Sequence, residues 1–550
     1  MEDNGMKQRL WNAKYKIWYA MCFLLLGIID QRRGSAVGEI QMLFSNMTGI
    51  VMALLLFPSL DCQKLRQKIY AVWTIPCIIL TIAACIVGKI YWSYTGQWVT
   101  AVLSIAVWSY LVIYIVQERK VWKNREGIRQ PYFWGVMILF LLMVLSAHEK
   151  TSTLWCLLIF GGFFIIGVPQ SRQSDFFSGM LNGIIVWFFI QQILAFGFRP
   201  YDYVRYRGLY SGETQNGIFY MIVYCAFLAK WLWSKEKKQS RLLSVFYFLM
   251  AAGCVGFLFF TASRSGLLGA VVVTLVLITG YDIGRRKSFY GWLLHGAAMV
   301  LCVAIMIPTV YGCIRYLPTV LHHPVWYEGE YVEGESVCSY DSWDSSKYIS
   351  FEEAMEDSLG RIFHAFGIDY HALFEKYQSR LGVMKVHAEE ISETAENESD
   401  VEEPGSSPIN YFMLDDVDTS DAMWAREVIY VYYWRHLNII GHPREGQGFY
   451  TIWDRHYTHA HNVFLQIAYD YGIPAGILFI GIYLYSIFLA LRMRKPEGWA
   501  CAAFLLGIIC FGLLEMTLTP GQITVPLMWI MFYFAGKESR ALPKSANQSL

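Results

Sequence analysis

Apolar stretches long enough to cross a lipid bilayer recur along most of this chain, and no other feature restricts its fold so severely. A span needs about 20 mostly apolar residues. Inside hydrocarbon every backbone N–H and C=O must be satisfied within the protein, which selects helices for segments of this length. Such runs lie at 15–29, 36–58, 69–92, 98–117, 131–147, 152–169, 176–196, 216–233, 242–262, 265–281, 291–312, 473–491, 498–516 and 522–536. Several are short or broken by Gly or Pro, so the expectation is an all-α polytopic membrane protein of about 12–14 transmembrane helices. Only 16% of the 550 residues are charged, whereas soluble domains carry about 25%. A net charge of +1 argues against nucleic acid as a partner.

The charges that exist are concentrated in one place. Residues 313–460 are polar and acidic, and they divide the chain into 1–312, with about 11 spans, and 461–550, with about three spans and a tail. Within the large loop, 351–381 and 421–440 mix apolar and charged positions at helical spacing, as surface helices do. The stretch 389–405 (EEISETAENESDVEEPG) has almost no large apolar residue and is expected to be disordered. Lys and Arg gather in alternate connectors: the N-terminal arm, 64–68, 119–129, 235–241, 285–287, 492–495 and the tail. Basic residues in short loops stay on the cytoplasmic side, so both termini are expected to be cytoplasmic and the large loop extracytoplasmic. No small-residue cleavage site follows 17–29, so the first span is expected to be retained.

Two outer connectors break the charge pattern. The loop 199–213 carries Arg199, Arg205 and Arg207, and Arg264 sits in the short hairpin TASRSG at 261–266. Arginine on the outer side opposes the positive-inside bias. Snorkelling to headgroups accounts for one such residue, but Arg205, Arg207 and Arg264 together point to an anion held at the outer interface.

Where the loop ends, His456, His459 and His461 fall within six positions just ahead of an apolar helix. Histidine is the side chain suited to moving a proton near neutral pH. A metal would find two ligands in His459 and His461 but no third at an accepted spacing. No CxxC or Cys/His cluster occurs elsewhere, so no metal or other cofactor is expected. Asn462, Gln466 and Asp470 then recur every fourth residue, a polar stripe on an apolar helix that requires partners or a polar ligand.

Taken together, three separated motifs resemble the O-antigen ligase and polysaccharide polymerase superfamily of integral-membrane glycosyltransferases. Residues 205–211 (RYRGLYS), followed by Gly217, are similar to its R-x-x-G-x-x-x-N-P-N-x-x-G pattern. TASRSG resembles its T-x-S-R-x-G hairpin. Gly446 and Gly448, then His461, Asn462, Leu465, Gln466 and Gly472, resemble its G-x-G followed by H-N-x-x-L-Q. Arg426 resembles the Arg that opens the preceding helix. The likeness covers about residues 200–480, and it departs from the family where Gly212, Glu213 and Thr214 replace Asn-Pro-Asn, so that Glu213 or Asn216 stands in for the missing Asn.

The resemblance implies a multispan fold acting on lipid-linked sugars. A glycan would leave an undecaprenyl-diphosphate donor and join a hydroxyl of an acceptor glycan or lipid on the outer face of the cell membrane, with inversion and without a metal ion. Charge develops on the diphosphate as it leaves, and guanidinium groups bind phosphate oxygens bidentately. Arg264 and either Arg205 or Arg207 are the candidates. His461 is the expected base, with His459 second. Asn462, Gln466, Arg426 and Glu213 are expected to line the substrate site, and Glu515 either orients an Arg or a sugar or is structural. Ligase and polymerase perform the same transfer to different acceptors. A flippase for the same lipid is the alternative of another class, and it requires ionisable residues near span midpoints.

Overall fold

The computed structural model describes residues 2–33, 39–61, 65, 67–91, 95–117, 131–148, 150–198, 205–210, 212–321, 331–332, 335–336, 350–364, 422–443, 450–452, 455–457, 459–515 and 522–538. The acidic stretch 389–405 lies outside them, as do Gly446 and Gly448.

Each apolar run read from the sequence contains a helix among its described residues. The first part of the chain forms α1 (Glu2–Arg33), α2 (Glu39–Leu56), α3 (Lys68–Tyr91), α4 (Thr95–Gln117), α5 (Pro131–Leu145), α6 (Lys150–Ile165) and α7 (Gln173–Phe198). Then come α8 (Glu213–Glu236), α9 (Arg241–Phe260), α10 (Arg264–Ile278) and α11 (Phe289–Leu321). The loop contributes α12 (Phe351–His364) and α13 (Ala422–Arg435), and the C-terminal part α14 (Val463–Tyr471), α15 (Ile473–Arg492), α16 (Pro496–Gly512) and α17 (Thr524–Glu538). Eight of the described helices are long and apolar enough to cross a membrane, and 43–59, 131–145, 153–165 and 496–512 are shorter apolar helices. The chain is thus an all-α polytopic membrane protein. Two small antiparallel hairpins, β1 (Tyr331–Val332) with β2 (Glu335–Ser336) and β3 (Tyr450–Ile452) with β4 (Arg455–Tyr457), depart from the expectation of helices alone.

The bundle is built around α8. Every residue from Asn216 to Ser234 is buried, because α7, α9, α10 and α16 surround a helix that is apolar on all sides. Peripheral helices do the opposite. α3 exposes Ile75, Ile78, Ile79, Leu80 and Ile82, and α11 exposes Val300, Leu301 and Ile305. Such a belt is far too large for water to tolerate and suits lipid tails. With lipid outside, packing rather than hydrophobicity holds helices together, and small residues permit close approach. On α7, a Cβ at Gly183 would lie 2.3 Å from Ala20 O of α1.

The two ends of the bundle differ in charge. At one end Arg285 pairs with Glu236 and donates to Arg494 O, Lys237 Nζ donates to Ser174 Oγ (3.3 Å), and Lys537 Nζ donates to Val168 O (2.6 Å). Arg172 covers the Tyr15 ring at the same end. The basic flanks of α1 and α17 therefore meet there. The opposite end carries the start of α8, the α9–α10 hairpin, the start of α14 and the end of α16.

Candidate active site

Arg205 runs alongside the TASRSG hairpin and braces it. Tyr206 N donates to Phe260 O (2.9 Å), while Arg205 Nε and Nη2 donate to Thr261 O (2.7 Å) and Ala262 O (3.4 Å). Ala262 has φ +47°, and two carbonyls aimed at one guanidinium hold that uncommon turn. Of Arg205 and Arg207, the two alternatives for the diphosphate, Arg205 directs at least two of its donors to main-chain carbonyls. Arg207 faces Glu213, its Nε 2.8 Å from Glu213 Oε1, as an ion pair rather than a well-directed hydrogen bond. Asn216 is buried, and its Nδ2 donates to Tyr206 O (3.1 Å).

Ser263 caps α10, its hydroxyl accepting from Gly266 N (3.3 Å) as a helix start requires. That makes the half-buried Arg264 the first helical residue, a cation at the positive end of a helix dipole. The placement is unfavourable on its own, and an anion at that point would meet both the guanidinium and the helix N-terminus.

On the other side of the site, Asn462 caps α14. Its Oδ1 accepts from Phe464 N and Leu465 N (both 3.0 Å), and its Nδ2 donates to Leu513 O (2.9 Å). His461 precedes it with φ +48°, a strained position for a side chain of this size, and its Nδ1 lies 3.5 Å from Glu515 Oε2. Tyr430 of α13 donates to His461 O (3.3 Å) and contacts Leu513 O (3.4 Å). The His459 and His461 rings are 4.2 Å apart.

The end of α16 joins these two halves. Phe511 packs where the motif glycines leave room: a Cβ at Gly217 would lie 2.8 Å from Ser263 Oγ and 3.1 Å from Phe511, and one at Gly266 3.2 Å from Phe511. Two and four residues later, Leu513 O and Glu515 hold Asn462 and His461. Arg205, Arg207, Glu213, Arg264, His459, His461 and Asn462 are thus gathered at one end of the bundle. Gln466 lies beneath them. It is buried, its Oε1 accepts from Ala460 N (2.7 Å) and its Nε2 donates to Asp470 Oδ1 (2.8 Å). Gln466 and Asn462 therefore hold the loop in position through these bonds. Arg426 lies on α13, with its side chain outside the described residues, and the same holds for His456 on β4.

Sequence reasoning missed Phe511 and Tyr430. Neither carries a signal, since an apolar residue in a span and an aromatic at an interface are ordinary there. It also missed the support under α14, where His442 N donates to Asp470 O (3.2 Å), His442 Nδ1 lies 3.0 Å from Tyr469 O, and His148 Nδ1 lies 3.8 Å from Asp470 Oδ1.

Burial, and next the adjacent His461, push the His459 imidazole down to about 4, with Glu515 opposing. Folded His459 resists a proton that the unfolded chain takes up near pH 6.5. Its contribution to stability is therefore complete above about pH 6.5 and is lost as the pH falls toward 4. Hydrogen-exchange protection at residues 459–462, taken relative to the intrinsic rate at each pH, is expected to fall over that window, and His459→Gln to flatten the response. An unchanged pH response in His459→Gln would remove this residue from the account.

Compared with known proteins, the chain matches no family model and no curated protein. The likeness to the ligase and polymerase superfamily therefore rests on the sequence motifs alone.

Proposed function

We propose that this protein is an integral-membrane glycosyltransferase that moves a glycan from an undecaprenyl-diphosphate donor to a hydroxyl of an acceptor glycan or lipid during cell-surface polysaccharide synthesis. The observation that carries the reading is the segment 511–515, where α16 ends and the turn after it begins. It touches the glycines of the two arginine motifs through Phe511 and holds the histidine motif through Leu513 and Glu515, so motifs some 200 positions apart in sequence close on one point. By the positive-inside bias, the basic end of the bundle is cytoplasmic and this end faces outward.

In this reading Glu515 accepts the Nδ1–H of His461 and leaves Nε2 with its lone pair toward the acceptor. The acceptor hydroxyl oxygen attacks the anomeric carbon, and its proton passes to His461 Nε2. The bond from that carbon to the diphosphate oxygen breaks, and the electron pair leaves with the diphosphate. Arg264, at the N-terminus of α10, meets the charge that develops there. Arg205 keeps the hairpin in shape. The imidazolium that forms lies beside the Glu515 carboxylate until the proton is released to water.

The test is release of undecaprenyl diphosphate, in equal amount to elongated acceptor, from membranes supplied with a lipid-linked oligosaccharide. Arg264→Ala is expected to slow release by about 10²-fold, with Arg264→Lys recovering part of it. Undiminished release by Arg264→Ala at normal protein level would sink the assignment.

A further inference from the structure

At the basic end, far from the hairpin and His461, α8 buries a lysine. Lys230 is 9% exposed, and its ammonium reaches a single hydroxyl, Ser178 Oγ of α7, at 3.5 Å. One contact of that length is little for a group with three donors. The charges acting on it are those of Lys16 on α1 and Lys237, which follows the last residue of α8, both positive. Lys237 donates to Ser174 Oγ (3.3 Å), one helical turn from Ser178 on the same face of α7. Both ammonium groups border the Trp233 ring, 5.8 Å and 5.0 Å from its centre.

The nearby carboxylates are directed elsewhere. Glu236 pairs with Arg285, and among the described residues Asp175, a step around α7 from the two serines, forms no ion pair with a lysine. Among the described residues, none of the three lysines forms an ion pair. Collecting like charges around a buried ammonium is costly unless an anion completes the set. Three ammonium groups and two hydroxyls, donors all, match the oxygens of a phosphate. Their level also fits, since Lys237 is exposed where α8 ends at the basic end of the bundle, the height at which phospholipid phosphates lie.

We propose that Lys16, Lys230 and Lys237, with Ser174 and Ser178, bind a phosphate group, and that its source is an anionic phospholipid of the leaflet opposite the candidate active site. The site is independent of the transfer reaction. Full-length protein in detergent is titrated with phosphatidylglycerol, phosphatidylcholine or inorganic phosphate, and its thermal unfolding is followed. Phosphatidylglycerol is expected to raise the midpoint by a few degrees, beyond phosphatidylcholine, and the rise is expected to vanish in Lys230→Met. Lys237→Met, on the exposed lip, repeats the test should the first variant fail to fold. An equal rise with inorganic phosphate supports the site and assigns it to a soluble phosphate. A rise of wild-type size in both variants, or none in the wild type, overturns it.

Discussion

Replacing His461 by Ala is expected to lower turnover of a lipid-linked oligosaccharide about 10²–10⁴-fold, with donor KM little changed. The side chain occupies a strained φ of +48°, and the surrounding bonds are arranged to keep it there. Tyr430 holds its carbonyl, Asn462 ties the next residue to Leu513, and Glu515 faces Nδ1. A group that served only to fill space would not need that enforcement. Glu515→Gln is the sharper variant. Its amide can present either an oxygen or an NH₂ to Nδ1, so the tautomer with a free Nε2 is no longer enforced. The expected result is a fall in kcat smaller than that of His461→Ala, at unchanged donor KM. Because the two side chains act as one unit, the double variant should be no slower than His461→Ala alone. Additive losses would place Glu515 in some other role, and wild-type turnover by His461→Ala would end the proposed base.

Most of the helical framework was legible in the sequence because one variable, apolar run length, determines it. The gathering of Arg205, Arg264 and His461 at one end was also legible, because alternating basic connectors reveal which loops share a side. Partners were a different matter. Arg205 bonds to the carbonyls of Thr261 and Ala262, and a carbonyl belongs to every residue, so no spacing announces it. Gln466 reads as a polar group needing partners or a polar ligand, and its partners, Ala460 N and Asp470, are named only by the fold. Glu515 meets a histidine 54 positions earlier, a separation set by how α14 and α16 pack. The apolar helix expected directly after His461 is also broken in two. Val463–Tyr471 and Ile473–Arg492 are separate helices, divided by a glycine whose backbone no other residue adopts readily.

That glycine gives the largest structural effect. Gly472→Ala is expected to destabilise the protein by about 3 kcal/mol or more and to remove transfer activity. Gly472 has φ +96° and ψ 155°, a region essentially confined to glycine, and an added Cβ would lie 2.1 Å from Ile439 O. The obstacle is backbone, which has no rotamer with which to give way. Across from it Gly441, φ +77°, would place a Cβ 2.1 Å from Asp470 O. The two glycines let segment 438–442 lie against the α14–α15 junction, where Ile473 N donates to Asn438 O (2.9 Å) and His442 N to Asp470 O (3.2 Å). Pushing these segments apart tilts α14, and with it the cap that carries Asn462 and His461. Gly481→Ala provides the comparison. It lies on the exposed face of α15 with nothing within 4 Å of an added Cβ, and there Ala should be neutral or slightly stabilising, as in any helix interior. Thermal unfolding in detergent, followed by tryptophan fluorescence, separates the two. If Gly472→Ala unfolds at the same temperature as Gly481→Ala, the clamp does not hold α14 and the orientation of His461 must be set elsewhere.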